Sequence, residues 1–175
     1  DIKYKFPVSR IFPDNNPQGC PCGYLGDSRH VCSCKQLDID NYQRKISGPL
    51  MDRIDMQINL TRVDFSELKD KRPGESSATI RERVVRARQL QQARLEPLGI
   101  HCNAQMGRQE VVKYCQLDEQ AQAVLEKYFN ILNLSARSHD RILKVARTIA
   151  DLAGSSDIQA AHIAEAVTLR ANNRR

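Results

Sequence analysis

From residue 76 to residue 170 apolar positions recur every three or four residues, the period of helices with one buried face. Ser76 and Ser77 can cap a long helix running to about Arg94, with Ile80, Val84, Ala87 and Leu90 on its apolar side; Pro97 and Gly99 end it. A short helix is expected at Arg108–Tyr114. The next starts near Asp118, a capping residue type, and carries Leu117, Ala121, Val124, Leu125, Tyr128 and Leu132. Another spans about Arg137–Leu152, with the stripe Ile142, Val145, Ala146, Ile149 and Leu152, and Gly154 closes it. Ser156 and Asp157 are placed to cap a last helix, which carries Ile163, Ala164 and Val167 to about Arg170.

The N-terminal third follows another pattern. Residues 1–19 have no clear period and are broken by Pro7, Pro13 and Pro17, so they read as an irregular segment, or one foreign to the native chain. A short helix is predicted over Leu37–Ile46, stopped by Gly48-Pro49, and a turn over Leu50–Arg53. Asp55-Met56-Gln57-Ile58-Asn59-Leu60 then alternates polar and apolar strictly, the mark of a strand with one buried face. A polar linker over Lys69–Glu75, with Pro73 and Gly74, leads into the helices.

Length and composition narrow this picture only moderately. The 175 residues have room for one ordinary domain or two small ones. A hydrophobic share of 41% supports a core, while 5% aromatics and no Trp leave the packing to aliphatic side chains, as in helices. No stretch approaches the roughly 20 apolar residues of a membrane span. Nor does the start resemble a signal peptide, so no membrane and a cytoplasmic location are expected. The excess of 27 Lys and Arg over 21 Asp and Glu, net +6, suits a nucleic acid or a nucleotide phosphate, though a solubilising surface accounts for it equally.

The cysteines change the picture more. Cys20, Cys22, Cys32 and Cys34 form two C-x-C pairs separated by nine residues. Thiolates suit Zn²⁺, which takes soft sulfur in a closed tetrahedron, and each pair can offer two sulfurs to one ion. The usual knuckle is C-x₂-C, so a set of reduced thiols or an adventitious disulfide is the competing reading, with His30 a substitute ligand. Cys102, Cys115, His101, His139 and His162 have no ligand spacing and are expected in core or surface roles.

Two further segments carry placed arginines. In Ile46-Ser47-Gly48-Pro49-Leu50-Met51-Asp52-Arg53-Ile54-Asp55 an arginine precedes the expected strand. In the helix opening at Leu134-Ser135-Ala136-Arg137, Arg137, Arg141 and Lys144 share one face opposite the apolar stripe. Cations beside a helix N-terminus can hold phosphate, although a solvated basic face has the same spacing.

From Cys20 to Arg170 the chain resembles the C-terminal part of magnesium-chelatase-like AAA+ ATPases of the ComM (YifB-type) competence family. The carrying motifs are CPCGYLGD, KISGPLMDRIDMQI, GESSATIRERVVRARQLQQAR and LSARSHDRILKVARTIADLAG. The resemblance implies a mainly α chain: the end of an AAA+ α/β core, with one or two strands, over 20–68, and a helical-bundle lid over 76–172. It implies that Arg53 is the arginine finger reaching ATP on a neighbouring subunit. Arg137 matches the sensor-2 residue, with Arg141 a second candidate. Asn16 stands near the sensor-1 position, but Gln18-Gly19 interrupt the family's NPCPCG pattern, and residues 1–14 do not match well. ATP and Mg²⁺ are the implied cofactors. A ring of identical subunits, by resemblance a hexamer, acting on DNA, is the implied assembly; chelatase relatives instead drive metal insertion into a porphyrin.

No G-x-x-x-x-G-K-[ST] loop occurs in the sequence, and no apolar strand ends in Asp-Glu. The chain therefore reads as a C-terminal fragment of an ATPase, inactive alone, that completes ATP sites without binding ATP itself. A second reading is a zinc-stabilised nucleic-acid-binding module using Arg81, Arg83, Arg86 and Arg88.

Overall fold

The computed structural model describes residues 20–25, 30–44, 53–58, 69 and 74–171. They fall into two compact units: one holds the described residues up to 44, and the other holds 53–58, 69 and 74–171. In the first unit, helix α1 (Gln36–Arg44) begins two residues after Cys34 and buries Ile39, while Leu37 stays exposed.

The second unit is a bundle of α2 (Ser77–Leu95), α3 (Arg108–Tyr114), α4 (Glu119–Ile131), α5 (Ala136–Leu152) and α6 (Ala160–Ala171). The start signals act chemically where the sequence places them. Ser76 Oγ accepts from the Thr79 amide, and Asp118 Oδ1 accepts from the Ala121 amide at 2.7 Å. Gly107 has no side chain to cap α3, so Glu110 reaches back to its amide at 2.7 Å. Gly154 ends α5 at φ 70°, a conformation that a Cβ would strain, and the Ser155 amide returns to Ala150 O. Helix α6 departs from expectation. Ser156 and Asp157 bond to each other, and the helix opens on Gln159, whose amide donates to His162 Nδ1 and whose carbonyl accepts from His162 and Ile163.

Helices α4 and α5 both pack on α6, and α2 packs on α5. Leu95, Met106, Val111, Leu125, Ile142, Ile158, Ile163 and Val167 form the core between them. A single parallel bridge, Leu117 to Ile158, ties the approaches to α4 and α6. Cys115 is part of this core, and burial pushes its thiol up to about 11. It is therefore protonated and covered at neutral pH, and should resist alkylation in the native protein while reacting once denatured; mass spectrometry after iodoacetamide checks this.

The apolar stripe does not orient α2. Its buried face is Ala87, Gln91 and Leu95, whereas Ile80, Val84 and Leu90 are each at least 40% exposed. Polar chemistry turns the helix: Gln91 Oε1 accepts from the Asn103 amide, and Arg94 donates to Asp151 at 2.6 and 3.1 Å. Asp151 also receives Asn103 Nδ2 at 2.8 Å and Arg147 Nε at 3.1 Å. Arg147 continues to the carbonyls of Ser155 and Ser156, so one buried network closes the end of α5. The same network puts Asp151 inward and leaves Leu152, expected in the stripe, 39% exposed.

The expected strand does not form among the described residues. Met56 and Ile58, its apolar positions, are exposed, while Gln57 is half-buried with Oε1 lacking a partner. The physical reason is in the backbone. Instead of a ladder neighbour, the Gln57 amide finds Leu169 O at 2.6 Å, at the end of α6, and residues 53–58 join the helical unit. Mainly α is the architecture observed.

Candidate functional site

The cysteine unit is built by two short backbone devices. Gly23, at φ 83°, lets its amide return to Cys20 O, which folds Cys20 and Cys22 into one turn. Cys32 and Cys34 approach from the segment leading into α1. The four sulfurs all lie within 4.8 Å of one another. Cys20–Cys22 and Cys22–Cys32 are 3.5 Å apart, and Cys32–Cys20 is 3.7 Å. A tetrahedron with metal–sulfur bonds of about 2.3 Å has edges of about 3.8 Å, whereas a disulfide needs about 2.05 Å. The spacing fits a shared ion, and none of the four sulfurs is in a disulfide among the described residues. The Tyr24 amide, directed at Cys22, pulls that thiol down to about 6, and hydrogen bonding to Cys22 pushes Cys34 up to about 12. His30, the substitute ligand of the sequence reading, stacks on the Tyr24 ring at 4.8 Å and is outside the four-sulfur group.

The helical unit holds the arginines. Arg53 is exposed on a turn, and Arg137 is exposed in the first turn of α5, whose cap is Ser135 Oγ accepting from the Ser138 amide. Arg137 makes no ion pair among the described residues. Arg141 does: it pairs with Asp55, two residues beyond Arg53. Lys144 Nζ donates to Ala104 O at 3.4 Å. Among the described residues the basic face read from spacing thus separates into Arg137, which has no ion pair, and two engaged neighbours. Asn16 lies outside the described residues.

Sequence reasoning did not single out Arg170, Ser138 or Asp55. Arg170 is buried and donates from Nη1 to Ile54 O at 2.6 Å and from Nη2 to Ser138 Oγ at 3.0 Å. A serine three residues after a capping serine was the available signal for Ser138. For Arg170, at the end of the last helix, there was none.

Three of the arginines of α2 have partners on or beside the same helix. Arg83 is held by both Glu75 oxygens, Arg86 pairs with Glu82, and Arg88 donates to Gln91. No helix of the described residues is long and apolar enough to cross a membrane.

Two family models match this chain. The one described as magnesium chelatase, subunit ChlI, covers residues 3–68, and the one for the ChlI C-terminal region covers residues 74–170. The match from residue 3 corrects the expectation that residues 1–14 fall outside the family; NNPQGC obscures the pattern locally without ending it. Among relatives, competence protein ComM of Haemophilus influenzae is 36% identical over 98% of this chain and 32% of its own length. The uncharacterized protein YifB of Escherichia coli is 37% identical over 88% of this chain and 29% of its own. The chain spans about a third of the length of the curated relatives it matches.

Proposed function

The chain belongs to the magnesium chelatase ChlI family, and on that premise we propose that it is the C-terminal portion of an AAA+ ATPase that completes ATP sites between identical subunits. Arg53 serves as the arginine finger presented to the neighbouring subunit, and Arg137 as the sensor-2 residue of its own. Asn16 is the sensor-1 candidate. The end of the AAA+ core over 20–68 and the lid over 76–172 are the corresponding domains. The motor is a ring, a hexamer in this reading, it works in the cytoplasm, and DNA is its substrate, since the ComM relative is named a competence protein. ATP and Mg²⁺ are bound by parts that this sequence does not contain, as no phosphate-binding loop or Asp-Glu strand end is present. Alone, the chain is expected not to hydrolyse ATP.

The observation that carries this reading is the state of the two arginines. Both are exposed in the helical unit, and among the described residues Arg137 has no carboxylate partner while its neighbour Arg141 has one. A guanidinium beside a capped helix N-terminus adds its charge to amide dipoles of the same sign, which favours an anionic oxygen there. Arg137→Ala in the full-length protein should lower kcat by about 10²–10³-fold, the cost of losing one preorganised donor to a charged transition state. Unchanged kcat would refute the sensor-2 role.

The four cysteines are proposed to hold one structural Zn²⁺. Sulfur spacings near the tetrahedral edge, far longer than a disulfide bond, support zinc over a disulfide. The ion would fasten Cys20–Cys22 to the segment preceding α1. Protein purified without added zinc should carry one equivalent by atomic emission, and Cys34→Ser should lose most of it. Well under one equivalent in the native sequence would sink the assignment.

A further inference from the structure

The geometry points to Arg170 as a positioning residue: we propose that its guanidinium ties the Arg53 turn to the first turn of α5, so that Arg53 and Arg137 are held as one rigid element. This rests on the reading of those two arginines given above. The tie itself is direct. Nη1 holds the carbonyl of Ile54, the residue after Arg53, and Nη2 holds the hydroxyl of Ser138, the residue after Arg137. Ser138 is fully buried, and its Oγ lies 3.0 Å from Ser135 Oγ, the cap of α5. Cap, hydroxyl, guanidinium and carbonyl therefore form one continuous chain of hydrogen bonds from the α5 N-terminus to the Arg53 turn. Two further contacts hold the same segment: Arg141 with Asp55, and the Gln57 amide with Leu169 O.

The residue type matters. Guanidinium is planar and presents two donors at fixed separation, whereas an ammonium is a single point. The fork serves a carbonyl on one segment and a hydroxyl on another from two separated atoms, whereas an ammonium must reach both from one. The consequence reaches across subunits. Arg137 senses nucleotide in its own subunit and Arg53 acts on the neighbour's, so the tie transmits displacement of α5 at one site to the finger of the next. Residues 53–58 move with the lid because their bonds are to α5 and α6.

Hydrogen exchange on the 175-residue chain tests the tie without nucleotide. In Arg170→Met the Gln57 amide should exchange at least tenfold faster, while amides at Leu125 and Ala146 in the core keep their rates. Arg170→Lys retains charge and stem, and guards against a Met variant that fails to fold. It should also release Gln57, because a single nitrogen on a shorter side chain replaces two separated donors. An unchanged Gln57 rate in a folded variant overturns the proposal, as does full retention of protection by lysine.

The full-length protein supplies the functional arm. Arg170→Lys should lower kcat by about tenfold with nucleotide affinity within twofold, and should reduce the steepness of the ATP dependence. If Arg53→Ala turns over normally, the finger reading fails while the exchange result still decides the tie. If Arg53→Ala is inactive but Arg170→Lys is fully active and equally steep, the finger stands and the positioning role falls.

Discussion

Arg53→Ala in the full-length protein is expected to remove ATP turnover, by about 10³–10⁵-fold, while nucleotide still binds. The difference follows from what a finger does. Ground-state binding is carried by the phosphate cradle and Mg²⁺, in parts of the family's proteins outside this sequence. A guanidinium supplied from the next subunit meets its full complement of charge only as the γ-phosphoryl group transfers, so its removal raises the barrier and leaves affinity largely alone. Arg53 suits this geometrically. It is exposed on a turn whose following residues are fastened through Ile54 O, Asp55 and the Gln57 amide. A tethered turn delivers the side chain without ordering a loop each cycle.

Phosphate release measures kcat, and a fluorescent nucleotide titration measures binding. Turnover within about tenfold of the native protein would refute the assignment, since one lost transition-state charge costs more than that. Mixed rings then separate trans from cis action. Arg53→Ala subunits combined with subunits disabled in the phosphate-binding loop should regain activity, because a finger donor and an intact ATP site meet at some interfaces. A residue acting within its own subunit would give no recovery. Arg53→Lys should remain impaired, as an ammonium cannot reproduce the bidentate fork.

Much of this architecture was legible in the sequence, and the exceptions share a cause. Short-range signals worked: Ser76 and Asp118 cap the helices they precede, and Gly154 stops α5. The cysteine spacing pointed to a site that brings four sulfurs together. Failures came where a distant polar group outbid a nearby apolar one. Leu90 and Leu152 lose their places to Gln91 and Asp151 because Arg94 and Asn103 stand 57 and 48 residues from Asp151. Alternation over 55–60 predicts a strand only if a ladder neighbour exists, and the Gln57 amide bonds instead to Leu169 O, in a helix. Arg137 and Arg141 are equivalent by period, and only the contact with Asp55 distinguishes them. Pattern reveals which residues can face a neighbour; it does not reveal which neighbour arrives.

That long-range network carries the second large effect: Asp151→Ala should destabilise the helical unit by about 3–5 kcal/mol, the cost of stripping one partner from a buried ion pair. Asp151 is 2% exposed and is the carboxylate that both Arg94 and Arg147 pair with, their side chains being 19% and 4% exposed. Alanine would leave the two cations facing each other across a cavity, with Asn103 Nδ2 losing a 2.8 Å bond. Against a typical stability of about 5–15 kcal/mol this loss is large, and for a domain of this size it lowers the melting temperature by at least about 10 °C. Circular dichroism of the 175-residue chain measures it. Leu152→Ala, one position along and 39% exposed, is the control and should cost under about 1 kcal/mol. The ranking inverts what the apolar stripe predicts, so equal or reversed shifts would show that leucine packing orients α5. An Asp151→Ala protein melting within about 3 °C of the native chain would remove the network from the account of the fold. Replacing Asp151, Arg94 and Arg147 together by apolar residues of similar volume should recover much of the loss, because the penalty lies in the uncompensated charges and not in the missing pair.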